Sequence, residues 1–163
     1  MKPMPQSKFT PAQAEELAAA FACEGVDYLF IGKSGAILLG YPETTQDVDI
    51  FLPRSHENAE RVLRALRTLG FELDPALTVS ILSGSEIVLL KSGPFALDLI
   101  HAPDGIESFE LAKSRSVLEG GRFPVASLDD IIASKRATGR EKDVYDVRRL
   151  EQFRIEYLQR RQQ

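Results

Sequence analysis

Every apolar stretch in this sequence is strand-sized. Ile87–Leu90 and Phe95–Ile100, like the other apolar runs, fall far short of the roughly 20 residues that span a bilayer. The chain must therefore bury its apolar surface by layering short elements against one another. With 163 residues, 44% of them hydrophobic, it has enough material for one core. A domain of this size hides about two-thirds of its unfolded-chain surface. The single Cys23 allows neither a disulfide pair nor a zinc cluster, which points to a reducing, cytoplasmic setting. Met1 to Thr10 has no apolar centre, so no leader peptide is expected there.

Glycines and prolines punctuate the chain. Thr10-Pro11-Ala12-Gln13 reads as a helix start, with Thr10 as N-cap, Pro11 at the first helical position and Gln13 closing a capping box. That helix is expected to run to Glu24 and stop at Gly25. Tyr28–Ile31 reads as a buried strand, Gly32–Gly35 as a turn, and Ala36–Leu39 as one or two helical turns before Gly40. A polar loop over Tyr41–Gln46 leads into a strand, Val48–Leu52. The spacing of Val62, Leu63, Leu66 and Leu69 predicts a helix over Ser55–Leu69, ended by Gly70. Three strands are expected next, at Leu77–Leu82, Glu86–Leu90 and Phe95–Ile100, separated by Ser-Gly turns. A short helix over Glu107–Lys113 follows, then a loop with a short edge strand over Gly120–Ala126. A helix capped by Ser127 comes next, and a last helix starts at Glu141 with Val144, Val147, Leu150, Ile155 and Leu158 as its apolar face. This order predicts an α+β (mixed α/β) fold with a small mixed or antiparallel sheet. No repeat or linker is visible. Residues 1–163 read as one domain, with a core at about 10–126 and C-terminal helices over 127–163.

Asp47-Val48-Asp49 opens the strand of Ile50-Phe51-Leu52. Alternate strand residues share a face about 6.5 Å apart, so both carboxylates project together and Val48 and Ile50 point the other way. Two such charges repel by about 1 kcal/mol in water and several times that at lower dielectric. A hard divalent cation offsets that repulsion, and oxygen-only ligands favour Mg²⁺ or Mn²⁺. Phe95–Ile100 carries one charge, Asp98. If that strand lies beside Val48–Leu52, Asp98 joins the pair. Three carboxylates can hold the two ions used for in-line attack at phosphorus.

Ile31-Gly32-Lys33-Ser34 follows a strand and precedes a helical stretch, a setting in which backbone N–H groups can meet phosphate. It is not a P-loop. That motif needs glycine five residues before Gly32, where Asp27 stands. Together with Gly40-Tyr41-Pro42-Glu43-Thr44-Thr45-Gln46-Asp47-Val48-Asp49-Ile50, the turn resembles the signature of the DNA polymerase beta-type nucleotidyltransferase superfamily. It is most similar to the small bacterial members related to toxin–antitoxin and abortive-infection proteins. Asp98 falls where their third carboxylate would be, and Arg140-Glu141-Lys142-Asp143-Val144-Tyr145-Asp146 resembles a segment of their C-terminal helices. The resemblance covers about Tyr28 to Leu150. It departs from the pattern at Lys33, which replaces the second small residue of the glycine motif.

The resemblance implies transfer of a nucleoside monophosphate from an NTP, ATP first among them, to an acceptor hydroxyl, with pyrophosphate released. Asp47, Asp49 and Asp98 would be the catalytic metal ligands for Mg²⁺ or Mn²⁺, with Asp98 also taking the acceptor's proton. Gly32, Lys33, Ser34, Thr45, Lys135 and Lys142 would hold the nucleotide. The Thr44 and Thr45 hydroxyls either orient the carboxylates, touch phosphate, or are loop hydroxyls with no role. Tyr145 reads as core packing, and His101 as a surface or strand-end residue. The acceptor is an RNA such as tRNA, a protein or a small molecule. A homodimer or a cognate partner chain would complete so short a protein, and no membrane partner is expected. From Ile132 to Gln163 there are nine Lys or Arg against five Asp or Glu. That balance of +4 leaves −8 for the rest of a chain whose net charge is −4. The basic segment suits nucleic acid or phosphate, or equally a solvated helix surface. Two alternatives stand beside transfer: a non-catalytic module of the same fold that binds nucleotide or protein, and a two-metal phosphohydrolase or nuclease.

Overall fold

The structure is a computed structural model that describes residues 8–162. Gln163 and Met1 to Ser7, on which most of the no-leader reading rests, lie outside the described residues. Among those described are seven helices and one six-stranded sheet: α1 Pro11–Glu24, β1 Leu29–Ile31, α2 Gly32–Leu38, β2 Asp47–Phe51, α3 His56–Leu69, α4 Pro75–Ser83, β3 Ile87–Leu90, β4 Ala96–Ile100, α5 Phe109–Arg115, β5 Val117–Glu119, β6 Phe123–Val125, α6 Leu128–Ala137 and α7 Glu141–Arg161. The fold is mixed α+β. No described helix is long and apolar enough to cross a membrane.

The strands lie in the order β3-β4-β2-β1-β6-β5. β2 is antiparallel to β1 and parallel to β4. Along β2 the side chains alternate: Val48 and Ile50 are buried, while Asp47 and Asp49 emerge on the opposite face. α1 packs on α3, and α2 lies against β1, β2 and α6, which in turn carries α7. The deepest side chains include Leu17, Phe21, Phe30, Ile50, Phe51, Leu66, Leu97 and Leu99. α1 has the expected reciprocal cap, with Thr10 and Gln13 each accepting the other's backbone N–H.

Four expectations are corrected. Leu77–Leu82 is not a strand but lies within α4. Asp74 caps that helix by accepting from the Leu77 N–H at 2.8 Å, Pro75 sits in its first turn, and Gly84 closes it in the left-handed conformation. The cap signal of Asp74-Pro75 matches that of Thr10-Pro11, and it outweighs the β-branched content of the segment. The strand at Phe123–Val125 is interior, between β1 and β5; the edge belongs to β5, which the apolar pattern did not announce. Helix α2 begins at Gly32 itself, so the glycine segment is a helical first turn. On α7 the buried apolar residues are Leu150 and Phe153, backed by Val147 and Tyr157, whereas Val144, Ile155 and Leu158 are exposed. The face turns with the helical period of 3.6 residues, and the expected set drifts off it.

Candidate functional site

The parallel register of β2 and β4 sets Asp49 directly opposite Asp98 and Asp47 opposite Ala96. Antiparallel pairing sets Asp49 opposite Ile31 on the other side. Three carboxylates therefore gather at one place on the sheet face that carries α2. Their exposure differs: the Asp98 side chain is 15% exposed and that of Asp47 43%.

Gly32 is shaped by Asp49. Its φ is +63°, and a Cβ there would lie 2.2 Å from Asp49 Oδ2. Only glycine lets the chain turn here and lets the carboxylate approach so closely. Ser34 is fully buried behind this contact. Its hydroxyl donates to the Ile31 carbonyl at 3.0 Å and accepts from the Asp49 N–H at 3.0 Å. Its one proton is committed, so the expected Ser34 O–H contact to phosphate is corrected to a positioning role. Thr45 likewise donates to the Asp47 backbone carbonyl, at 3.4 Å, rather than to a carboxylate.

The carboxylates are crowded. Burial, then the charges of Asp98 and Asp47, push the Asp49 carboxyl up to about 7, with Asp98 in hydrogen-bonding range and Lys135 opposing the shift. Such strongly perturbed groups concentrate at functional sites. Lys91, at the end of β3, was not anticipated from sequence. Its ammonium reaches Asp98 Oδ1 at 3.0 Å and Asp47 Oδ1 at 3.2 Å. Although partial burial works against its charge, the bonds to Asp98 and Asp47 win and raise its pKa. Among the described residues, no set of three or more His, Cys, Asp or Glu side chains is arranged as a ready metal-ligand group. The donor chemistry nonetheless suits a hard cation: all three groups are carboxylates, and among the described residues Lys91 is the one cation shown hydrogen-bonding Asp47 and Asp98.

Beside Asp49 opens a cleft of about 330 Å³. Ile31, Ile87, Ile100 and Ile131 give it apolar walls, and its charged lining is mixed, with Lys135 and Arg140 set against Asp49, Glu86 and Asp104. Asp47 and Asp98 are outside that lining. Lys33 does not enter it either. Its ammonium pairs with Asp146 of α7 at 3.8 Å, which gives the departure from the glycine motif a structural partner. Lys135 pairs with Asp146 at 3.4 Å and with Asp143 at 3.6 Å. The buried Asp143 also accepts from Thr138 at 2.5 Å and from Arg140 Nε at 2.8 Å. Lys142 is exposed and away from the cleft, so the geometry brings Arg140 to it and not Lys142.

Other expected residues move too. Tyr145 is exposed, with the Arg149 guanidinium 5.7 Å from its ring centre, so it is not core packing. The aromatic that packs is Tyr41, buried 5.5 Å from Phe153 and fastening the Gly40-Tyr41-Pro42 turn to α7. His101 stands at the strand end, directly after β4, but is buried rather than on the surface, and its Nδ1–H donates to the Ser85 carbonyl at 2.6 Å. Much of the basic C-terminal charge is paired within the chain: Arg136 with Glu151, Arg149 with Glu43, Arg154 with Asp129.

No protein-family profile matches this chain, and no curated protein is significantly similar to it.

Proposed function

We propose that this chain is a metal-dependent nucleotidyltransferase that moves a nucleoside monophosphate from an NTP, ATP first among them, to an acceptor hydroxyl. The observation that carries this reading is the strand register: Asp49 faces Asp98 across parallel strands, with Asp47 on the same face and Gly32 pressed against Asp49. Asp47, Asp49 and Asp98 would hold Mg²⁺ or Mn²⁺. When bound, the ion neutralises charge on the reacting phosphates and lines up the attacking and leaving oxygens.

The chain's own residues do the rest. Ser34 fixes the Asp49 backbone, and Gly32 leaves room for the carboxylate. Asp98 accepts the proton of the attacking hydroxyl. Lys135 and Arg140, both also paired with Asp143, would turn part of their charge to the anionic end of the nucleotide, while the isoleucine walls would take its uncharged part. Lys33 acts indirectly, by holding Asp146. The cleft volume lies at the lower end of ligand pockets, roughly 300–1,000 Å³, and suits one nucleotide with the acceptor entering from outside. That acceptor is an RNA end, a protein hydroxyl or a small molecule. The internal pairing of the basic C-terminal charges weakens the case for RNA.

A second reading, a non-catalytic nucleotide- or protein-binding module, is favoured by the Lys91 ammonium seated between Asp47 and Asp98. One assay separates the readings. Each labelled NTP is incubated with Mg²⁺ or Mn²⁺ and acceptor pools of RNA, protein and small molecules. Transferred label with pyrophosphate release, lost in Asp47→Ala/Asp49→Ala, supports transfer. Free phosphate or cleaved ends indicate a hydrolase. Metal-dependent NTP binding with no product from any pool indicates the non-catalytic module.

A further inference from the structure

Lys91 stands where the sheet's carboxylates are most exposed. The segment it opens, joining β3 to β4, is firmly seated. Gly93 lies against Phe71 so closely that an added Cβ would sit 2.1 Å from the ring. Phe71 in turn packs edge-on to Phe95, with ring centres 5.2 Å apart, and both are buried. The backbone is thus fixed, while the Lys91 side chain is 44% exposed on a flexible four-carbon stem. Its ammonium bonds one oxygen of Asp98 and one of Asp47, at 3.0 and 3.2 Å. Lys135, the other nearby cation, spends its charge on Asp143 and Asp146.

A small divalent ion draws carboxylate oxygens to about 2.1 Å. It cannot share Asp47 Oδ1 and Asp98 Oδ1 with an ammonium already seated between them. We propose that Lys91 is the site's built-in counter-ion: it holds Asp47 and Asp98 together while no divalent ion bridges them, and it must swing into solvent before one can. The inference rests on the reading of these carboxylates as a cation site. Lys91 is a positioning residue in this scheme and sets how much divalent ion is needed to switch the site from its closed to its open charge arrangement.

The test is a Mn²⁺ titration of the full chain without nucleotide, followed by electron paramagnetic resonance, for the wild type, Lys91→Met and Lys113→Met. Exposed ion pairs contribute up to about 1 kcal/mol each. Lys91→Met should therefore bind Mn²⁺ about threefold to tenfold tighter than the wild type. Lys113→Met, which removes the same charge from an exposed pair with Asp27, should shift binding by less than about twofold. Lys91→Gln replaces Lys91→Met if that protein does not fold. Equal affinity in the wild type and Lys91→Met, or the same tightening in both variants, overturns the inference while leaving the cation site standing. No Mn²⁺ binding by any of the three overturns the inference and the metal reading together.

Discussion

Two groups of carboxylates lie near the same cleft and are treated in opposite ways. Asp143 is buried with its charge answered by Thr138, Arg140 and Lys135. Burial works to raise its pKa, but the Thr138 and Arg140 hydrogen bonds outweigh that and hold it below the usual carboxylate range. Asp47, Asp49 and Asp98 crowd one another, the Lys91 ammonium bonds two of them, Asp47 and Asp98, and burial together with that crowding drives the Asp49 carboxyl upward. The protein completes the first group from its own side chains, and that group ties α6 to α7. It leaves the second group short of positive charge on a rigid sheet. Like-charge repulsion kept in one place and relieved in the other is what the proposed cation site requires.

The comparison breaks if both groups respond alike to neutralisation. The largest effect is expected at Asp143. Asp143→Ala leaves Thr138, Arg140 and Lys135 without their shared acceptor and should lower unfolding stability by about 2–3 kcal/mol, read from urea denaturation. Because the folded pKa of Asp143 lies below its ordinary 3.8, the stability it gives is present above that value and lost as pH falls below it.

Asp49→Asn should act in the opposite direction. With no divalent ion present at pH 7.5, relieving the repulsion should raise stability by about 1 kcal/mol, and added Mg²⁺ should no longer stabilise the variant. A loss of stability like that of Asp143→Ala would make Asp49 a structural residue.

The smallest effect belongs to His101, which is in neither group. Burial, and then the neighbouring Arg54, lower its pKa despite its bond to Ser85. The folded state thus prefers the neutral ring. Its stability is complete above 6.5 and falls as pH drops below it, by on the order of 1 kcal/mol or less. His101→Gln should flatten that slope in denaturation curves between pH 7.5 and 5.5, which separates it from any acid effect of Asp143.

The carboxylate group was legible because it depends on local periodicity. Alternation along Asp47–Leu52 puts two aspartates on one face, and a lone charge in Phe95–Ile100 needs a neighbour; parallel pairing then brings the strands together. What the sequence hid depends on long-range placement. Lys91 lies 44 residues from Asp47 and reaches it through a turn seated on Phe71. Lys33 meets Asp146 only because α7 folds back over α6 and α2. Ser34 looked like a phosphate ligand because its burial cannot be read from one strand-to-helix junction. Helix α4 is hidden for a different reason: Thr78, Val79 and Ile81 after its Asp74-Pro75 cap are β-branched and carry strand character of their own. The exposed face of α7 drifted out of register because small errors in helical phase accumulate over 21 residues.

The most direct measurement is calorimetric titration of the folded chain with each NTP in the presence and absence of Mg²⁺ or Mn²⁺, for the wild type and for Asp47→Ala/Asp49→Ala. The account predicts that at least one NTP binds only with the divalent ion and that the double variant, while folded, does not bind it. NTP binding that is indifferent to metal, or that persists in the double variant, would contradict the assignment of these carboxylates.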